Sequence, residues 1–138
     1  MVNSCRKGKR GELFARDYLR SLGFEDAHRT QQHDGSGESD VSCPETLPNV
    51  HIEVKFGYPR KNFSLGSSLW ESAIGQCHAD CDGKEWVILW KEKHCSIWKM
   101  TFMLFEGLVT VVGDAAIANN LMRLQEGDSH AHFDPQAG

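Results

Sequence analysis

The chain has 138 residues, 40% of them hydrophobic and 25% charged, with 13 glycines and 4 prolines; this is the balance of one globular domain and excludes collagen-like, wholly disordered and two-domain readings. The longest apolar runs, Trp86 to Trp90 and Phe102 to Phe105, fall far short of the roughly 20 residues of a membrane helix, and no apolar leader opens the chain, so the expected setting is the cytoplasm. Net charge is -4, but residues 1–20 carry six Lys and Arg against two acidic residues while residues 106–138 carry one Arg against five, which permits one basic face on an acidic protein.

From about Lys9 to Leu22 the residues Phe14, Ala15, Tyr18, Leu19 and Leu22 fall on one side at 100° per residue, and Gly23 follows as a stop, which predicts a first helix. Glu12 lies at the border of that stripe, where the helix meets the rest of the fold. Phe24 to Thr30 reads as a short strand, QQHDGSGES with Gly35 and Gly37 as a loop, and Asp40 as the start of a second strand. Beyond Pro44 and Pro48, Val50 to Phe56 alternates strictly, with Ile52, Val54 and Phe56 on one face and His51, Glu53 and Lys55 on the other.

Residues 57–66 form a loop centred on Arg60 and Lys61. Ser68-Leu-Trp-Glu71 then reads as a capping box, opening a helix whose apolar line runs through Trp70, Ala73, Ile74, Cys77 and Cys81 to Asp82-Gly83. Trp86 to Trp90 suits an interior strand, and Lys91 to His94 turns into another from Cys95 to Thr101. Phe102 to Val112 is open between a strand and a packing segment, and Asp114 starts a short helix to about Leu124. The expectation is an α/β fold in the order αβββαββ, a central mixed sheet flanked by helices, as one domain over 1–124 with a flexible tail over 125–138.

Glu12, Asp40, Glu53 and Lys55 carry the chemistry. Carboxylates projected from different elements toward one point hold a hard divalent cation while leaving room for water and a phosphate oxygen. A lysine two residues from one of them on the same strand face is placed to hold an attacking water and stabilise its deprotonated form.

This pattern of helix Glu, then Asp, then a Glu-x-Lys strand, then a helix with Gln76 resembles the PD-(D/E)xK nuclease superfamily. RKGKRGELFARDYLRSLGF, HRTQQHDGSGESDV and HIEVK are most similar to the archaeal-type Holliday-junction resolvases and their viral relatives, over roughly residues 5–101. The resemblance implies a restriction-endonuclease-like core and a Mg2+-dependent endonuclease, with Mn2+ as a substitute, cutting four-way DNA junctions as a homodimer; a viral source would place it in the host-cell cytoplasm. It implies Glu12, Asp40 and Glu53 as metal ligands, the Val54 carbonyl facing the metal, and Lys55 at the nucleophile. Thr30 stands at the family's hydroxyl position, with Ser36 and Ser39 as rivals, and Ser39 replaces the proline that many members have before the aspartate. Arg6, Lys7, Lys9, Arg10, Arg29, Arg60 and Lys61 are implied as phosphate contacts.

Each residue has a plainer role when taken alone: Glu12 as an i,i+4 partner of Arg16, Asp40 as a turn cap, Glu53 and Lys55 as strand solubility charges, Gln76 as a solvated helix position. The five cysteines, Cys5, Cys43, Cys77, Cys81 and Cys95, are odd in number, and most read as buried thiols. A zinc site can be drawn from Cys77, His78, Cys81, His94 and Cys95, but Cys77 and Cys81 fit better as small core residues. Three functional alternatives stay open: a virus-type replication-repair nuclease acting on flaps, a catalytically inactive nuclease-fold DNA-binding protein, and a zinc-stabilised interaction module.

Overall fold

The structure is a computed structural model that describes residues 4–30, 39–105 and 107–127; nothing is described of the side chains of residues 4–7. The first helix, α1, spans Ser4–Ser21, several residues longer at its start than the apolar stripe predicts. Periodicity of apolar residues cannot register that first part, where Arg6, Lys7 and Lys9 are good helix formers but add nothing to an apolar stripe. Gly23 takes φ 107°, and Phe24 folds back to donate its amide to the Leu19 carbonyl at 3.1 Å, so Phe24 belongs to the helix stop rather than to a strand.

Two very short strands follow, β1 (His28–Arg29) and β2 (Val41–Ser42), then the long β3 (Val50–Tyr58). A 3-10 turn at Arg60–Phe63 leads into α2 (Ser68–Asp80). The cap of α2 sits one residue earlier than the predicted box: Ser67 Oγ accepts the Trp70 amide at 3.2 Å, while Glu71 reaches back to the Gly66 amide. Strands β4 (Glu85–Glu92), β5 (Lys99–Leu104) and β6 (Gly107–Val112) and the helix α3 (Asp114–Gln125) complete the chain. The segment left open at 102–112 is therefore the end of β5 and an antiparallel hairpin partner, β6. Cys95 to Trp98 precede β5 as irregular chain.

The sheet runs β1-β2-β3-β4-β5-β6, antiparallel throughout except for the central β3–β4 pair, which is parallel. Helix α2 is the crossover that a parallel pair requires. With helices on both faces, this mixed sheet is a restriction-endonuclease-like α/β core. One face packs Ile52, Val54, Val87, Leu89 and Met100 against Ala15 and Leu19 of α1 and Ile117 and Leu121 of α3. The other packs Trp86, Ile88 and Trp90 against Phe63, Trp70, Ala73 and Cys77. Among the described residues no helix is long and apolar enough to cross a membrane.

Gly11 sets how closely α1 approaches β3. A Cβ built on it would lie 2.4 Å from Phe56 Cβ, too close for either backbone to tolerate. Gly11→Ala is expected to destabilise the protein by about 1–3 kcal/mol, since forced overpacking outweighs the gain in helix propensity. Thermal melting of the variant checks this, and an unchanged midpoint would refute the close contact. The same approach carries the next residue, Glu12, to the C-terminal half of β3.

Candidate metal centre and active site

Among the described residues, strand β2 pairs with β3 only at Val41 and Ile52. Asp40 sits at the end of this pairing. Its amide donates to the Ile52 carbonyl at 2.9 Å, and its carboxylate Oδ2 accepts the Val54 amide at 2.9 Å, taking the place of the next rung of the ladder. Glu53 and Lys55 alternate along the same stretch of β3, and α1 brings in Glu12. A cavity of about 240 Å³ results, lined by Gly8, Glu12, Asp40, Glu53, Val54, Lys55, Phe56, Tyr58 and Gln76.

The electrostatics are those of a crowded carboxylate cluster. Burial, followed by the neighbouring Glu53 charge, pushes the Asp40 carboxyl up to about 8, against the pull of the Val54 amide, and a hydrogen bond to the Glu53 carboxyl raises it further. Burial also raises Glu12, while the Arg29 guanidinium, whose Nε donates to Glu12 Oε1 at 2.8 Å, pulls it back. Glu12 is thus paired with Arg29 across the fold; Arg16, its i,i+4 neighbour, bonds Asp17 instead.

The Asp40 shift has a consequence for stability. Between the ordinary carboxyl value of 3.8 and about 8 the folded protein holds a proton that the unfolded chain has released. Stability of the metal-free protein is therefore greatest at the acid end of that window and falls as pH rises through it. A divalent cation supplies the positive charge instead. Melting at about pH 5 and about pH 8 is expected to give the lower midpoint at the higher pH, and added Mg2+ or Mn2+ is expected to raise the midpoint chiefly there. A metal-free midpoint that rises with pH would contradict the raised Asp40.

Comparison with protein-family models, curated proteins and solved structures returns no match. Geometry alone therefore carries the functional reading. The α/β core with a buried His/Glu/Cys cluster able to chelate a cation is consistent with a metal-binding, nuclease-like protein. That cluster is His51, Glu53 and Cys77, whose donor atoms all lie within 4.8 Å of one another. His51 escapes attention in the sequence as one more polar residue of an alternating strand. Here it is 1% exposed, with Nε2 donating to Glu53 Oε1 at 2.8 Å and Nδ1 3.0 Å from Ser39 Oγ. The available signal was its i,i+2 relation to Glu53, which puts both on one strand face. Burial pushes the Cys77 thiol well up, so in the metal-free protein it is an inert thiol rather than a nucleophile.

Thr30 stands outside the cavity that gathers the carboxylates. Its hydroxyl donates to the Ser39 and Asp40 carbonyls and so ties Thr30 to the residues that lead into β2. Ser36 lies outside the described residues. Of the basic residues, Lys9, Arg60 and Lys61 are exposed, Arg10 lies over the Phe56 ring at 5.8 Å, and Arg29 is engaged with Glu12. The side chains of Arg6 and Lys7 lie outside the description. The drawn zinc site is not assembled: β4 runs from the end of α2 toward His94 and Cys95, roughly 25 Å at 3.3 Å per residue, while His78 packs on the Trp86 ring.

Proposed function

We propose that the chain is a divalent-metal-dependent DNA endonuclease that hydrolyses phosphodiesters in branched DNA, above all in four-way junctions. The observation that carries this reading is the convergence of Glu12, Asp40, Glu53 and Lys55, from three separate parts of the chain, on one cavity. The donor chemistry fits a hard cation. Asp40 and Glu53 are buried side by side and share a hydrogen bond, and a divalent ion satisfies such a pair better than a proton does.

In this reading Asp40 and Glu53 hold Mg2+ or Mn2+, with Glu12 and the Val54 carbonyl completing the protein's share. Bound there, the ion lowers the pKa of the attacking water and offsets the charge that builds on the phosphorus. Lys55 would hold that water in line with the scissile bond and stabilise the hydroxide left when its proton passes to bulk solvent. Arg29 steadies the Glu12 carboxylate, the Asp40 carboxylate is aimed by the Val54 amide, and Gln76 faces the substrate side of the cavity. Lys9, Arg10, Arg60 and Lys61, together with Arg6 and Lys7, contact phosphates, so binding weakens steeply with salt. Two protomers act together, each cutting one strand. Their interface draws on Phe105, Val112 and Met122, exposed side chains of the β5–β6 hairpin and α3; light scattering that finds only monomer at high concentration removes the dimer.

The test is a gel assay of a synthetic four-way junction with Mg2+, beside a flap, a linear duplex of the same sequence, and the Glu53→Ala variant. Paired symmetric nicks in the junction alone, lost in the variant, are the expected result. Preferential cutting of the flap replaces the junction with a replication-repair substrate. Cutting of every DNA keeps the nuclease and discards structural selection. No cutting with either metal leaves an inactive DNA-binding protein.

A further inference from the structure

The side chains of His51 and Glu53 project from β3 toward α2, and α2 lays Cys77 over them. All three residues are at most 2% exposed, and their donor atoms lie within 4.8 Å of one another. One imidazole, one thiol and one carboxylate make a donor set of a different character from the Glu12, Asp40 and Glu53 oxygens. A nitrogen and a sulfur beside a single carboxylate suit a borderline, thiophilic ion such as zinc, held by three protein ligands and a water. The supporting contact that a metal-bound histidine needs is already built. The second ring nitrogen of His51 faces Ser39 Oγ at 3.0 Å, and that oxygen is itself fixed by the Ile52 amide at 3.3 Å.

We propose that His51, Glu53 and Cys77 form a zinc site that competes with the catalytic magnesium set for Glu53 and so switches the enzyme off. Zinc binding takes the place of the proton that His51 Nε2 donates to Glu53 Oε1. The ring stays neutral, with its proton on Nδ1 donated to Ser39 Oγ. Cys77 loses its thiol proton to solvent and ligates as thiolate, and no electron is transferred. Glu53 is the one residue common to both sets, so its carboxylate is drawn toward α2 and away from Asp40. The inhibitory half of this proposal rests on the nuclease reading; the zinc site itself does not.

Cobalt titration of the full chain tests the site without any activity. A thiolate-to-cobalt absorption band saturating at one equivalent is expected, lost in Cys77→Ser and retained in Cys81→Ser. Competition with a chromophoric chelator is expected to show zinc bound about tenfold or more weakly by Cys77→Ser and by His51→Gln, with circular dichroism establishing that both variants are folded. Absence of the band in the folded protein, or its survival in Cys77→Ser, overturns the site. The switch is read from junction cleavage in Mg2+ with added zinc, each variant scored against its own zinc-free rate. The half-inhibiting zinc concentration is expected to rise about tenfold in Cys77→Ser; equal inhibition in both proteins, or activation by zinc, overturns the switch. If no DNA is cut, the nuclease reading and the switch fall together, and the cobalt and chelator results still decide the zinc site.

Discussion

Lys55→Ala is expected to lower the single-turnover rate of junction cleavage by about 100- to 1,000-fold, the loss that follows removal of one group stabilising developing charge in a water-poor site. Lys55 stands two residues from Glu53 on the same strand face and lines the same cavity. In the proposed reaction it contributes to the transition state more than to binding. Junction affinity measured by gel shift in Ca2+ is therefore expected to change little, and the loss to appear in the chemical step rather than in KM. Lys55→Arg separates charge from shape: a guanidinium keeps the charge but not the compact ammonium, so most of the loss is expected to remain. A variant that cuts at the wild-type rate would remove Lys55 from the mechanism. A variant that fails to bind the junction would make it a DNA contact instead.

Trp90→Ala is expected to cost about 3–5 kcal/mol, the range for truncating a buried tryptophan, and to lower the melting midpoint by roughly 10–20 °C. Trp90 is 6% exposed at the centre of the α2 face. Its ring stacks on Phe63 with centroids 4.4 Å apart and meets Trp70 edge-on at 5.7 Å. The indole N–H donates to Thr101 Oγ1 at 3.0 Å, and the Lys99 ammonium lies 5.0 Å over the ring. Dispersion and area burial dominate this sum, because Thr101 keeps a second partner in the Thr110 hydroxyl after the truncation. Trp90→Phe is expected to recover more than half of the loss. A melting midpoint within a few degrees of wild type for the alanine variant would mean that the aromatic cluster repacks freely.

The cluster also bears on the site. Register places Lys55 opposite Trp90 and Glu53 opposite Ile88 across the parallel β3–β4 pair. The face that holds the polar chain His51, Glu53 and Lys55 is therefore continuous with the apolar face of β4. Helix α2 closes over both, with Cys77 buried on its inner side and Gln76 at the cavity. Loosening the aromatic packing is expected to blunt the positioning of Glu53 before the chain unfolds.

Local sequence pattern was enough to read α1, β3, α2 and β4: the two helices carry apolar lines at helical spacing, β3 alternates apolar and polar residues, and β4 is an unbroken apolar run. From those elements followed the α/β class, the mixed sheet, and the placing of Glu12 beside the helix stripe and of Glu53 and Lys55 on one strand face. Strands β1 and β2, two residues each, are too short to carry a period, and only their pairing, β1 with β2 and β2 with β3, defines them. The β6 edge strand was illegible for another reason: its exposure alternates only weakly, with Val109 and Val111 partly buried against the core.

Tertiary structure alone decided which side chains meet. The end of the β2–β3 pairing at Asp40 lets its carboxylate take the Val54 amide, and the bare Gly11 face lets α1 carry Glu12 to β3. The packing of α2 sets a thiol beside a histidine and a glutamate that lie more than twenty positions earlier. A sequence encodes the face each residue takes within its own element, since that depends on spacing along one backbone. Which faces come to share a cavity depends on how separate elements cross and how closely they approach, and here those distances are set by long-range packing.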